Sequence, residues 1–217
     1  MRSSLAISLF TAGALARTPP GFSPSTNNTL DVQYGDVKAS EGAPVLIEDA
    51  VVSPAIGFKP NSSHDSHIVL LVDLDAPNGT HDNSYAPFLH WAKVIPSGSS
   101  KLSSNSSDMK EYAPYAGPAP PPGTGPHRYV ALLFASSNST FEIPPSFKDL
   151  DMLNVPDRIA FNISKFITEG KLKLAAGDWF TSENKTVTSV VTNAATSAPV
   201  ASGFLALGVC FLLGMAL

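Results

Sequence analysis

The sequence predicts a mainly β protein, a β-sandwich carrying one or two short helices. Three observations lead there. Three runs of eight residues or fewer, 67–73, 88–95 and 128–135, are rich in Val, Ile, Leu and aromatic residues, the composition and length of buried strands. The chain contains 19 Pro and 15 Gly, many of them between those runs, where they end strands and shape turns. Only one stretch carries a persuasive helical period.

Taken in order, Val45–Ile47 reads as a short strand. His67–Asp73 is almost continuously aliphatic and reads as a central strand covered on both faces. Phe88–Ile95 is a second strand, closed by Pro96-Ser97-Gly98, and residues 99–108 form a Ser-rich loop. Residues 112–126 are too dense in Pro and Gly for a helix or an inner strand. Arg128–Ala135 is a third strand. Pro156-Asp157 supplies a helix start, Ile159, Ile163, Phe166 and Ile167 share one face, and Gly170 ends it. Lys171–Leu174 alternates and reads as a strand.

The ends carry a different pattern. Arg2, an apolar run over residues 5–15 and Ala14-Leu15-Ala16 form a secretory signal, residues 1–16, cleaved after Ala16. Residues 17–28, rich in Pro, Ser, Thr and Asn, form an extended N-terminal segment ahead of a domain at 29–181. Residues 182–193 read as a Ser/Thr-rich stalk. Residues 194–217 end in an uncharged apolar tail, short for a membrane span. With the small residues Asn193-Ala194-Ala195 before it, the tail reads as a glycosylphosphatidylinositol (GPI) attachment signal, with Asn193 as the attachment site. The expectation is a secreted protein on the outer leaflet of the plasma membrane. Seven Asn-X-Ser/Thr sequons, at Asn27, Asn61, Asn78, Asn105, Asn138, Asn162 and Asn184, agree with glycosylation in the secretory route. The single cysteine, Cys210, lies in that tail, so the domain must be held by its core without a disulfide. The formal net charge of −4 and the lack of a basic stripe exclude a nucleic-acid partner bound through a positive field.

Polar residues gather where strands meet loops. Asp73 and Asp75 stand at the end of the central strand, and residues two apart in a strand share a face. His90 interrupts an apolar strand. His127 and Tyr129 flank Arg128 at the start of the third strand, directly after a rigid Pro/Gly loop containing Pro120 and Pro121. Two imidazoles beside two carboxylates favour binding or acid–base chemistry. An anion could rest there only if the histidines are protonated or a carboxyl keeps its proton. No Gly-X-Ser-X-Gly elbow and no activated cysteine accompany them, and nothing implies a cofactor. Two Asp and two His are also competent metal ligands.

Asp73-Leu74-Asp75-Ala76-Pro77, Leu89-His90-Trp91 and Tyr115-Ala116-Gly117-Pro118…Gly123-Thr124-Gly125-Pro126-His127-Arg128-Tyr129 together resemble the signature segments of the phosphatidylethanolamine-binding protein family. The resemblance spans roughly residues 29–181. It implies a Greek-key type β-sandwich with a small pocket lined by Asp73, Asp75, His90, His127 and Tyr129 and walled by Pro120 and Pro121. It implies a phosphoethanolamine headgroup or another phosphate-type anion as ligand. Leu74 stands where the family has its first proline, and no tyrosine follows residue 181 to complete the pocket as a C-terminal helix does in mammalian members. The function expected is therefore a cell-surface binding protein for phospholipid headgroups or phosphorylated ligands. Inhibition of a carboxypeptidase-type peptidase, with that peptidase as partner, is the alternative that the family adds. An acid–base enzyme using the His/Asp pocket is a third.

Overall fold

A computed structural model describes residues 16–104, 106 and 109–185. Residues 1–15 of the expected signal, the sequon at Asn105, the attachment site Asn193 and the tail 194–217 lie outside the described residues.

Nine strands form two antiparallel sheets. They are β1 (Asp31–Tyr34), β2 (Val37–Lys38), β3 (Ala55–Gly57), β4 (Ser66–Asp73), β5 (Phe88–Ile95), β6 (Lys101–Leu102), β7 (Glu111–Ala113), β8 (His127–Ser136) and β9 (Lys173–Ser182). The smaller sheet has the order β2-β1-β3-β6 and the larger β7-β5-β4-β8-β9. Strand β4 is central and all eight of its residues are buried, as its unbroken aliphatic run requires. Its even and odd residues serve two cores. Val69 and Leu71 join Trp91, Tyr129 and Phe180 against Leu30, Val32 and Ile56 of the small sheet side. Ile68, Leu70 and Val72 pack with Leu132 and Phe134 under the Phe147, Phe161 and Phe166 cluster.

The single α-helix among the described residues, α1 (Ile163–Gly170), starts later than the sequence predicts. Pro156 and Asp157 instead lie in a 3₁₀ turn, Val155–Arg158. The Asp157 carboxylate accepts from Asp151 N at 2.9 Å and caps nothing in its own turn. Ala160 N and Phe161 N donate to the carbonyls of Tyr85 and Pro87, so tertiary bonds take the backbone groups that a longer helix would need. Asn162 is the cap, its side chain accepting from Lys165 N at 2.8 Å. Gly170 is the last helical residue, and the left-handed position after it belongs to Lys171, φ 51°.

Val45–Ile47 is not a strand. Val45 N donates to Thr181 O beside an isolated bridge from Pro44 to Thr181, and turns follow at once. Two loops hide short strands, β6 within the Ser-rich segment and β7 at the edge of the Pro-rich one. The expected stalk loses its first residue, because Ser182 ends β9 opposite His127. Residues 17–28 lie along β9. Arg17 N donates to Thr26 O, Leu30 N to Gly177 O and Gly177 N to Asn28 O, and Arg17 pairs with Glu41.

Candidate functional site

The larger sheet aligns the site across four strands. Asp73 pairs in register with Phe88 on β5 and Tyr129 on β8, and Tyr129 pairs with Phe180 on β9. Tyr129 stacks on Phe180 at 5.2 Å between ring centroids, which holds its hydroxyl end toward Asp73 and the Pro-rich loop. Register slips between β4 and β5: Leu71 faces Trp91 and Val72 faces Leu89. His90 is thus the extra residue of a β-bulge, a device that re-aims a side chain. Its ring meets Phe88 and Tyr129 edge-on at 5.0 and 5.2 Å.

Between these groups lies a cavity of ≈ 210 Å³, lined by Asp73, Ala76, Pro77, Tyr85, Phe88, His90, Ala119, Pro121, His127 and Tyr129. It lies below the range of about 300–1,000 Å³ common for drug-sized ligands, so it suits a headgroup or a small anion. Two depressions of ≈ 610 Å³ each lie elsewhere. In the first, Lys93 is spent on Glu111 and the Ser106 carbonyl.

Of the residues singled out in sequence, Asp73, His90, His127, Tyr129 and Pro121 meet at the cavity. Asp75 and Pro120 do not line it. The strand ends at Asp73, whose Oδ1 accepts from Asp75 N at 2.7 Å, so the period-two rule stops applying before Asp75. Asp73 reaches His127, whereas Asp75 receives Arg128 N at 2.8 Å, Nε at 2.9 Å and a terminal nitrogen at 2.8 Å. His127 and Arg128 are consecutive on β8 and point to opposite faces, and the two carboxylates diverge with them. Burial alone would raise the Asp75 pKa, but the Arg128 hydrogen bonds outweigh it and hold the group below the ordinary value. Pro120 is buried, while its neighbours Ala119 and Pro121 are exposed and form the wall.

Hydrogen counting fixes what each group has left to offer. Thr124 Oγ1 gives its one hydrogen to Pro121 O at 2.8 Å. The same oxygen lies 3.0 Å from His127 Nε2, so both contacts share one hydroxyl. His127 Nδ1 shares a proton with Asp73 Oδ2 at 2.8 Å. Both nitrogens of His127 are thus committed inside the protein. The order Asp73–His127–Thr124 has the spacing of a catalytic triad, with the Thr124 hydroxyl shared between the Pro121 carbonyl and the ring. The trio anchors the loop. Gly79, at φ 64°, allows the same packing from the other side: a Cβ there would stand 2.5 Å from Thr124 O.

His90 differs. A carbonyl only accepts, so the 2.8 Å contact with Ala116 O puts the proton on Nδ1. Nε2 remains, 4.0 Å from Asp73 Oδ2. Burial lowers the His90 pKa and the nearby Arg158 charge adds to this, against the opposing Ala116 bond and Asp73 charge. Neutral His90 therefore offers the cavity an acceptor. The Tyr129 hydroxyl is fully buried and makes no hydrogen bond of ordinary geometry, although Asp73 and the Ala119 backbone are its polar neighbours. Burial, reinforced by Asp73, pushes its pKa far up, so it is a donor at any physiological pH.

The sequence pattern missed Arg158. It is 6% exposed and donates to Met152 O at 2.7 Å, Leu89 O at 3.4 Å and His90 O at 3.3 Å. No carboxylate among the described residues forms an ion pair with it. A positive charge without an ion-pair partner among the described residues thus sits behind the β5 wall of the cavity. Tyr85, Phe88, Ala76 and Thr124 were missed as well. Ala76 and Thr124 stood inside the signature segments, and Phe88 lies two residues before His90 on a strand. Among the described residues no group of three or more His, Cys, Asp or Glu is arranged to hold a metal ion.

Comparison with known proteins accords with this geometry. The chain is 33% identical over 184 residues to phomoidride biosynthesis cluster protein N of Talaromyces stipitatus, covering 77% of this chain and 90% of that one. It is 28% identical over 141 residues to the carboxypeptidase Y inhibitor of Saccharomyces cerevisiae, covering 56% and 61%. Its fold resembles the solved phosphatidylethanolamine-binding protein of Plasmodium vivax, with a TM-score of 0.59 at 18% identity over 76% of this chain and 92% of that one. Residues 22–176 match the sequence model described as phosphatidylethanolamine-binding protein, and the chain belongs to that family.

Proposed function

We propose that this protein is a binding module of the cell exterior whose cavity takes a small phosphate-type anion, as a headgroup or another phosphorylated ligand. The observation that carries this reading is the buried Tyr129 hydroxyl, which sits beside Asp73 without a hydrogen bond of ordinary geometry and lines a cavity that also holds the free His90 Nε2. A buried donor left unmade costs about 1–3 kcal/mol, and a ligand oxygen would recover that. Arg158 supplies the favourable field, and the Thr124–His127–Asp73 chain holds the wall in place beforehand, which lowers the ordering cost of binding. The sequons at Asn27, Asn61, Asn78, Asn138 and Asn162 are exposed, in keeping with a glycosylated, secreted and membrane-anchored protein. Calorimetric titration of the purified protein with phosphate, sulfate and phosphoethanolamine tests the reading. Binding weakened about tenfold by Tyr129→Phe supports it; no heat with any of the three sinks it.

Similarity to a carboxypeptidase Y inhibitor supports a second reading, inhibition of a peptidase, about equally. An arm inserted from residues 17–28 would first have to leave β9, where Arg17, Asn28 and Leu30 tie it down. A surface loop is the more accessible element. Assay of serine carboxypeptidases with the intact protein and with Tyr129→Phe separates the readings: inhibition unaffected by the cavity variant assigns the two activities to different surfaces.

A further inference from the structure

The hydrogen-bond inventory of the cavity specifies more than an anion. Both oxygens of the Asp73 carboxylate already have a partner, Asp75 N on one and His127 on the other. His127 is saturated by Asp73 and Thr124. Asp75 is turned away to Arg128. Two buried groups there are left without a partner, a donor, the Tyr129 hydroxyl, and an acceptor, His90 Nε2, while Tyr85 lines the cavity from a more exposed position. A fully ionised anion satisfies the donor and sets a negative oxygen against the acceptor's lone pair. It would bind only by forcing a proton onto a buried imidazole. That imidazole faces Asp73 from β4, Tyr129 and His127 from β8, Tyr85 across the cavity and Arg158 from the 3₁₀ turn, and Arg158 has no ion-pair partner among the described residues.

We propose, resting on the reading of this cavity as an anion site, that it selects oxyacids which bring their own proton: the monoanion of a phosphomonoester in preference to a phosphodiester. In R–O–PO₂(OH)⁻ one oxygen accepts from Tyr129 while the P–OH donates to His90 Nε2. Both buried groups are then satisfied and the imidazole stays neutral. A diester has no P–OH, so one contact is always unmade. The second ionisation of a phosphomonoester, near 6, puts a usable share of the monoanion at neutral pH. Ligands of this class are free phosphorylated alcohols and phosphorylated side chains, as opposed to the diester phosphate of an intact phospholipid.

Monoethyl phosphate and dimethyl phosphate test this, being isomers of equal size and atom count that differ in the presence of a P–OH. Calorimetric titration of the full-length wild-type protein at pH 6.0 should find the monoester about tenfold tighter, the factor expected for one buried hydrogen bond left unmade. At pH 7.5 the phosphorus-31 shift of bound monoethyl phosphate should remain that of the monoanion, although the free ligand is mostly dianionic. Dimethyl phosphate bound as tightly or more tightly, or a bound monoester with the dianion shift, overturns the selection rule and leaves the anion site standing. Absence of binding by both overturns the anion site and this rule with it.

Discussion

The hydroxyl of Tyr129 is buried next to the carboxylate of its cross-strand partner Asp73 and still makes no hydrogen bond of ordinary geometry. Asp73 already has His127 and Asp75 N as its partners. Stability and binding therefore make opposite demands on this one atom. Tyr129→Phe should leave the melting temperature unchanged or slightly higher, because deleting a buried unbonded hydroxyl relieves a desolvation cost of order 1 kcal/mol. The same change should weaken phosphate or sulfate binding about tenfold. Thermal melts and calorimetry on one preparation measure both; a variant that loses stability but keeps affinity would show that the hydroxyl is structural.

Asp75 is predicted to matter for stability and not for affinity. Its carboxylate holds the backbone and guanidinium of Arg128, but Arg128 is 42% exposed at the side chain, and solvent screens the pair. Asp75→Asn should cost about 1 kcal/mol at pH 7. The pKa of Asp75 is depressed in the fold. The unfolded chain thus takes up a proton near pH 3.9 that the folded chain refuses, so the contribution is present above that pH and disappears as pH falls below it. Urea melts from pH 7 to 3 should show wild type and Asp75→Asn converging at the acid end.

The histidines predict a second acid limb. Burial lowers the pKa of His90 and of His67. Near pH 6.5 the unfolded chain begins to bind protons that both rings exclude in the fold. Stability from this source is complete above about pH 6.5 and declines as pH drops toward the folded values. His67→Asn, which removes a ring distant from the ligand, should flatten the decline between pH 6.5 and 5 without altering anion affinity at pH 7.5. A slope unchanged in that variant would assign the limb to other groups.

Removal of Arg158 should act at a distance. Arg158→Met deletes three donations to carbonyls and an unpaired buried charge, and the orphaned carbonyls should cost about 2 kcal/mol. With the cation gone, protonated His90 is less disfavoured and its pKa should rise toward 6.5. Proton NMR titration of the ring C–H signals reads that shift directly, and a value unmoved by the substitution would show that the Arg158 charge does not reach the pocket.

Gly79 guards the junction between the Asp73 turn and the Pro-rich loop. At φ 64° and 2.5 Å from the Thr124 carbonyl oxygen, even alanine requires the backbone to move. Gly79→Ala should cost about 1–3 kcal/mol and reduce anion affinity, because the displaced loop carries Ala119 and Pro121. Hydrogen exchange at residues 119–126 checks the mechanism: unchanged protection there would place the cost elsewhere.

Sequence by itself determined the sheet and the inventory of the site. The aliphatic runs at β4, β5 and β8 have no polar face to expose, so they must lie inside a two-core layered β fold, and the Pro/Gly-rich segment before His127 cannot enter a regular element. The residue types at Asp73, His90, His127 and Tyr129 were legible because each breaks an apolar strand near its end. Short strands such as β6 and β7 were not legible, since two or three residues carry no period and owe their pairing to neighbours already in place. The helix start was misplaced because backbone groups of Tyr85 and Pro87 captured the donors of Ala160 and Phe161. Only the tertiary structure decided which way each polar group faces. A bulge of one residue turns His90 toward the cavity, the end of β4 sends Asp75 to Arg128, and Thr124 consumes the second nitrogen of His127. Arg158 joins the site from a turn nearly seventy residues beyond His90 in the chain. Hydrogen-bond direction and register depend on contacts between segments far apart in sequence, and no local pattern of residue types encodes them.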